Sequence, residues 1–557
     1  MSDRRALVPP PPLVRRVVAM AGSALALAAG PLAAQQLDVR PDLERTRHDA
    51  LHYAVWIALA DSGSRFEAAV DTRWRLDGAA PIRINLAPSY AIDSLTVDGR
   101  AARYQRSGDL IEVPVPSGAS GEVTTRIRYA GAPPKFRDTD QDDGLVQRGA
   151  GATRRIFADN WPDRARQWLA AQDHPSDKAT VSWTIDAPAG LTVVANGTAR
   201  PVETLGDGRR RWRFAIDVPI PVYTMVLGAA RLATTPLGEG GCPEKCVPVT
   251  VATYPEDSAW TVNGPFREAR EMVDFFSRLF APFPYGELRH VQSSTIFGGM
   301  ENSTVIFYDE NGYQQRRLGA GTVAHETAHQ WFGDAATETD WHHLWLSEGF
   351  ATYAAALWSE HQGGDSALRA AMRGNREAVT RSPATERPII DPAATDLMGL
   401  LNSNNYPKGS WVLHSLRGLV GDSVFFRGVR RYYREHEHGN ALSSDFARIM
   451  SEEAGADLTW YFTQALTQPG YPIVEVEATL GGGHATVELT QVQKPEWGTF
   501  QMPNLEIRVA GRTIVVPMTG RVARTVFHWP EETPPKVELD PNVWWLVAEP
   551  SETGGGR

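Results

Sequence analysis

The segment "VAHETAHQWFGD", residues 323–334, places His325, Glu326 and His329 within one stretch of helical periodicity. Residues i and i+4 of a helix differ by about 40° in direction and ~6 Å in height, so the two imidazoles share a face. At that separation both can reach one Zn²⁺ at ~2.0–2.1 Å. Glu326 lies about 60° beyond His329 on the same side. It flanks the metal without having to bind it, where a general base must sit to take a proton from the attacking water. The rival reading is the polar face of an ordinary helix. With the His and Glu content of this chain, however, chance yields only about 0.02 such patterns.

A third ligand strengthens the case. Glu348 follows His329 by 19 residues in "LWLSEGFATYAAALW", a second amphipathic helix that can fold back antiparallel to the first. Two His and one Glu leave a fourth position open, the arrangement of catalytic rather than structural zinc. His342 and His343 lie on the loop side and are the weaker candidates.

Residues 35–250 carry short alternating runs such as "HYAVWIALA", "ATVSWTIDAP" and "RWRFAIDV", punctuated by Gly, Pro, Asp and Ser. They predict an N-terminal antiparallel β domain. Over 251–470 the period changes to i, i+3, i+4, which predicts a mostly helical domain. It contains a strand-like segment, "SSTIFGGMENSTVIFY", just ahead of the first motif helix. Alternation returns over 471–549, predicting a small C-terminal β domain, and 550–557 reads as a tail. The chain is therefore expected to be multidomain α+β.

Composition narrows the class. The 557 residues are 42% hydrophobic and 22% charged, with a formal net charge of −10. No basic stripe is present, so nucleic-acid binding is not supported. Residues 1–34 differ: four arginines precede "VVAMAGSALALAAGPLAA", an Ala-rich run that ends in small residues before Gln35. That is the pattern of a secretory signal cleaved near Ala34, and it predicts a periplasmic or secreted protein with no integral membrane segment after cleavage. Cleavage removes four Arg and one Asp, leaving a mature charge of −13. The two cysteines, Cys242 and Cys246 in "GCPEKCVP", are close enough to close a small disulfide loop in an exported chain.

"HETAH", Glu348 in "WLSEGFATY" and "GGMEN" at 298–302 together resemble the aminopeptidase N family of gluzincin metallopeptidases, which includes the leukotriene hydrolase. The resemblance runs from the N-terminal β domain to about residue 475. It implies a thermolysin-like catalytic domain holding one Zn²⁺ per chain through His325, His329 and Glu348, with Glu326 as general base. It implies that Gly298, Gly299, Met300, Glu301 and Asn302 bind substrate, Glu301 taking the free α-amino group of a peptide. "NNYPKGSW" resembles the segment bearing the family's catalytic tyrosine, here Tyr406. A phenol there can donate to the developing oxyanion. Pro407 suits the first turn of the following helix, with Tyr406 at its mouth.

Two departures stand out. A Gln or Glu that the family places near the substrate amine falls here at Trp161, beside Asp159 and Asn160 as possible substitutes. Many relatives end in a large helical domain over the site, whereas a β region follows here, so a more open cleft is expected. The expected activity is that of a zinc-dependent aminopeptidase acting on peptides with a free N-terminus. The alternatives are a zinc endopeptidase or epoxide hydrolase on the same scaffold, or an inactive peptide-binding relative. Epoxide chemistry is disfavoured because the leukotriene enzyme's extra carboxylate corresponds to Met398. The sequence does not reveal an oligomeric state.

Overall fold

The computed structural model describes residues 37–40, 47–115, 120–137 and 139–550. The expected leader over 1–34, and the tail beyond Pro550, lie outside the described residues. The chain divides into two compact units. Among the described residues, one comprises those within 47–341 with 436–441, and the other 37–40, 342–435 and 442–550.

The first unit begins with strands whose alternation selects one face for burial. In β1 (Asp49–Ala58), Tyr53, Val55 and Ile57 point inward. In β2 (Phe66–Leu76), Phe66, Ala68, Val70 and Trp74 do the same. With β3 (Gly121–Gly131), β4 (Lys178–Ala187) and β5 (Arg210–Pro221) they form the centre of a nine-stranded sheet, in the order β5-β4-β1-β2-β3. All its pairings are antiparallel except β1 with β4. A hairpin partner must run antiparallel, but β4 reaches β1 after a connection of many residues and is free to run parallel. Trp168 stacks on Trp183 of β4 at 6.1 Å, both buried, and fills the inner face.

A five-stranded mixed sheet follows. It contains β6 (Val247–Thr253), β7 (Leu288–Ser293), β8 (Gly299–Met300) and β9 (Val305–Asp309), in the order Ala233–Gly240, β6, β7, β9, β8. β6, β7 and β9 are parallel, whereas β8 pairs antiparallel with β9 and forms the sheet edge. Helix α1 (Ala269–Leu279) lies between β6 and β7 in the chain and buries Met272, Val273 and Phe276. α2 (Ala320–His329) follows β9. Between Ala233–Gly240 and β6, Cys242 and Cys246 are joined as a disulfide.

The second unit is helical and then β. α3 (Trp345–Thr380) is kinked at Gly364, whose φ of 68° interrupts the helical backbone. α4 (Gly409–Val420) and further helices over Ser443–Ala454 and Thr459–Thr467 precede two three-stranded antiparallel sheets. These sheets are the β region expected over 471–549. Among the described residues no helix is long and apolar enough to cross a membrane.

Candidate active site

α2 is short and buried by aromatic packing. Trp331, just past its end, lies 6.0 Å from Phe276 of α1 and 5.3 Å from Phe283, ring to ring. Within the helix His325 is partly exposed, while Glu326 and His329 are buried. His329 Nδ1 donates to Phe332 O at 3.0 Å, because a carbonyl can only accept. That bond fixes the tautomer and leaves the Nε2 lone pair available to a metal, as metal-binding histidines commonly do by donating their other nitrogen to a carbonyl. His329 Nε2 and His325 Nε2 are 3.0 Å apart. Two nitrogens on one tetrahedral zinc would be roughly 3.3 Å apart, so the pair stands close to the separation that zinc requires.

The "GGMEN" segment approaches this helix closely. A Cβ on Gly299 would lie 2.1 Å from Glu326 Oε1 and 2.3 Å from its Cδ. Glycine is therefore what lets the Glu326 carboxylate rest against the β8 backbone. Glu301, Glu326 and His329 offer ligand atoms that all lie within 4.8 Å of one another. The unit thus brings together four side chains singled out from sequence: His325, Glu326, His329 and Glu301. Met300 and Asn302 are buried in the same segment, and Asn302 Nδ2 donates to Met300 O at 3.4 Å.

The N-terminal segment around Trp161 touches the loop ahead of "GGMEN". Trp161 is buried, with its ring 6.1 Å from Phe297 and 5.4 Å from Trp341. Asp159 accepts from Thr295 Oγ1 at 3.2 Å and from Ile296 N at 3.1 Å. Burial raises its pKa against the opposing pull of Arg164. Asn160 donates to Met225 O and accepts from Trp168 Nε1. Both proposed substitutes for the missing polar residue are committed to other partners.

Below the helix, Asp334 accepts from Gln330 Nε2 at 2.7 Å. Burial, then the charge of Glu301, pushes its carboxyl well above the usual range. Lys178 donates to Asp334 O and Ala335 O at 3.1 and 2.8 Å, and burial pulls its amine down to about 7. Sequence reasoning passed over Gln330, Asp334 and Lys178, none of which lies in a recognisable motif.

In the second unit Glu348 sits in the first turn of α3 and accepts from Tyr406 Oη at 2.9 Å. Tyr406 lies in a π-helical turn, Asn404–Lys408, that leads into α4, so Pro407 precedes α4 rather than opening it. Such turns recur at functional sites because they re-aim a side chain. The pairing depends on two glycines: a Cβ on Gly349 would lie 2.9 Å from the carbonyl carbon of Gly409, and one on Gly409 would lie 3.0 Å from the Cα of Gly349. His343 bonds Ser443 Oγ and Val39 O through its two nitrogens, and His342 Nε2 bonds Ala394 O. These roles are structural.

Family models match twice: "Peptidase M1 N-terminal domain" over residues 78–224 and "Peptidase family M1 domain" over 266–464, together more than half of the chain. Among curated proteins the chain is 26% identical over 433 residues to an aminopeptidase N of Lactobacillus delbrueckii subsp. lactis, covering 72% of this chain and 48% of that protein. It is 30% identical over 339 residues to a leucyl aminopeptidase of Saccharolobus solfataricus, covering 57% and 41%. The chain thus spans about half the length of the curated relatives it matches. Its fold is that of an M1 zinc metallopeptidase from Deinococcus radiodurans, with a TM-score of 0.68 at 23% identity over 76% of this chain and 94% of that one.

The glycine pair yields a test. Gly409→Ala forces α3 and α4 apart, an overpacking cost of about 1–3 kcal/mol. Thermal unfolding should show a lower midpoint, and catalytic turnover should fall further than stability alone explains because Tyr406 moves off Glu348. An unchanged midpoint would show that the helices do not meet through these glycines.

Proposed function

The chain belongs to peptidase family M1, and on that premise we propose that it is a zinc-dependent aminopeptidase, removing the first residue of peptides with a free amino group. The observation that carries this reading is the meeting of Glu301 with Glu326 and His329. A substrate α-ammonium is two bonds from the scissile carbonyl carbon. A carboxylate that binds it must therefore stand beside the general base and the metal ligands. The same buried carboxylate would oppose a neutral internal peptide, which disfavours endopeptidase action.

His325 and His329 hold the zinc, and the spacing of the motif assigns Glu348 as the third ligand. Bound zinc supplies Lewis acidity, polarising the scissile carbonyl and easing ionisation of water. Glu326 accepts the proton of the attacking water and returns it to the leaving amine. Glu301 anchors the ammonium by a charge-assisted hydrogen bond. The edge strand β8 offers main-chain groups to an extended peptide. Tyr406, whose hydroxyl is turned toward Glu348, donates to the oxyanion at the transition state.

The same reading includes export. The Arg-led, Ala-rich run over 1–34 supports it, as does a Cys242–Cys246 disulfide suited to an oxidising compartment. N-terminal sequencing of the protein recovered from a periplasmic extract should begin near Gln35, and an intact Met1 there would count against cleavage.

Two kinetic tests address the chemistry. His329→Ala should lose zinc by metal analysis. Glu326→Gln should keep zinc while kcat drops by at least ~10²-fold, the scale of a lost general base. Normal turnover in the zinc-loaded Glu326→Gln enzyme would remove that role. Acetylating the substrate N-terminus should abolish cleavage, since it removes the positive charge that Glu301 anchors. Glu301→Ala should weaken hydrolysis of free-amine peptides by about 1.5–3 kcal/mol in kcat/KM. Efficient internal cleavage of acetylated peptides by the parent would overturn the aminopeptidase reading and leave the zinc site standing.

A further inference from the structure

Thr304 closes the turn that follows "GGMEN". Val305 N donates to Asn302 O at 2.9 Å, so Asn302–Val305 is a tight turn. Thr304 is its third residue and has φ 68°, in the left-handed region. A β-branched residue is a poor occupant there, since that position of a turn favours glycine. Such a conformation persists only where the surroundings over-determine it.

The surroundings converge on one side chain. Gln330, fully buried and the residue after His329, accepts from Thr304 N through Oε1 at 2.8 Å. Its Nε2 donates to Glu301 O at 2.8 Å and to Asp334 Oδ2 at 2.7 Å. The Thr304 N–H can only donate and the Glu301 carbonyl can only accept, so these two bonds fix which end of the amide faces the turn. Asp334 is itself tied to the helix end, its N–H donating to His329 O at 3.0 Å. From the other side, Asn196 Nδ2 donates to Ser303 O at 2.7 Å and Gly197 N to Thr304 Oγ1 at 2.9 Å. The turn is thus gripped from the β domain and from the metal helix, and Gln330 is the grip on the helix side.

We infer that Gln330 is the positioning residue for amine recognition: its carboxamide ties the backbone of Glu301 and Thr304 to the helix bearing His325 and His329, setting the spacing between the ammonium-binding carboxylate and the scissile bond. The inference rests on the aminopeptidase reading. A misplaced Glu301 carboxylate loses the ammonium in the ground state and the transition state alike, so KM rises while kcat holds. Gln330 acts through the protein backbone: its carboxamide bonds go to Thr304 N, Glu301 O and Asp334 Oδ2.

The test is Gln330→Met, of similar length without hydrogen bonds, with Gln330→Asn as a milder variant should Met impair folding. Zinc content is measured on each, with hydrogen exchange of the Thr304 amide and kcat and KM for a matched pair of free and N-acetylated peptides. The expected result is full zinc, faster Thr304 exchange, KM for the free peptide up about tenfold with kcat within about threefold, and a correspondingly smaller preference for the free amine. Unchanged Thr304 exchange would show that Gln330 does not hold the turn. Faster exchange with unchanged KM and preference would reduce it to a structural residue. Either result overturns the inference. If the parent enzyme does not prefer the free amine, the aminopeptidase reading fails and the recognition role falls with it, while the exchange measurement still decides whether Gln330 grips the turn.

Discussion

Two carboxylates, Glu301 and Glu326, are buried within 4.8 Å of each other, and much of the first unit is arranged to tolerate that. At this distance, and with the effective dielectric found near protein sites, their repulsion is on the order of 4 kcal/mol. Cations would relieve such a pair. Imidazoles positioned for zinc stand beside the pair, and a substrate ammonium would complete the charge balance. On the proposed aminopeptidase reading, binding a cationic amine would relieve that repulsion, so selectivity would draw on the site's own electrostatics as well as on the new hydrogen bond.

Keeping the pair in place falls to the backbone. Gly299 lacks the Cβ that would collide with Glu326, and Gly349 and Gly409 lack those that would separate α3 from α4. In the first unit a side chain, Glu326, rests on a glycine backbone, and in the second two helix backbones meet at glycines, each closer than a Cβ would permit. Glycine at these positions is explained by the atoms it leaves out.

The motif helix, Glu348 and the β–helix–β order were legible because each leaves a periodic or spaced signal in one local stretch. Glu301 was legible only through the family resemblance, since a lone carboxylate on a short strand has no pattern of its own. Gln330 and Asp334 were invisible for a different reason. Their partners, Thr304 and Glu301, lie 26 and 29 residues from Gln330, and nothing local in "HQWFGD" announces a bond of that span. Thr304 points the same way: turn chemistry favours glycine at its position, and only tertiary hydrogen bonds hold a threonine there. The π-turn before α4 was missed because a proline near a helix start usually marks its first turn, and here the re-aiming of Tyr406 prevailed.

Trp161 shows how a recognition task can be redistributed. Where the family resemblance led to the expectation of a polar residue, this chain has packing: Trp161 lies against Phe297, and Asp159 is hydrogen-bonded to Thr295 and Ile296. The segment still acts on "GGMEN", by fixing the backbone that leads into it. One carboxylate can substitute for two only if it does not have to be ordered on binding, because each rotamer frozen then subtracts roughly 0.5–1.5 kcal/mol. Asp159 and Trp161 before the motif, Asn196 and Gly197 at its turn, and Gln330 beneath it meet that condition in advance. Trp161 in place of the expected Gln or Glu and the firmly held backbone around Glu301 are therefore two sides of one arrangement.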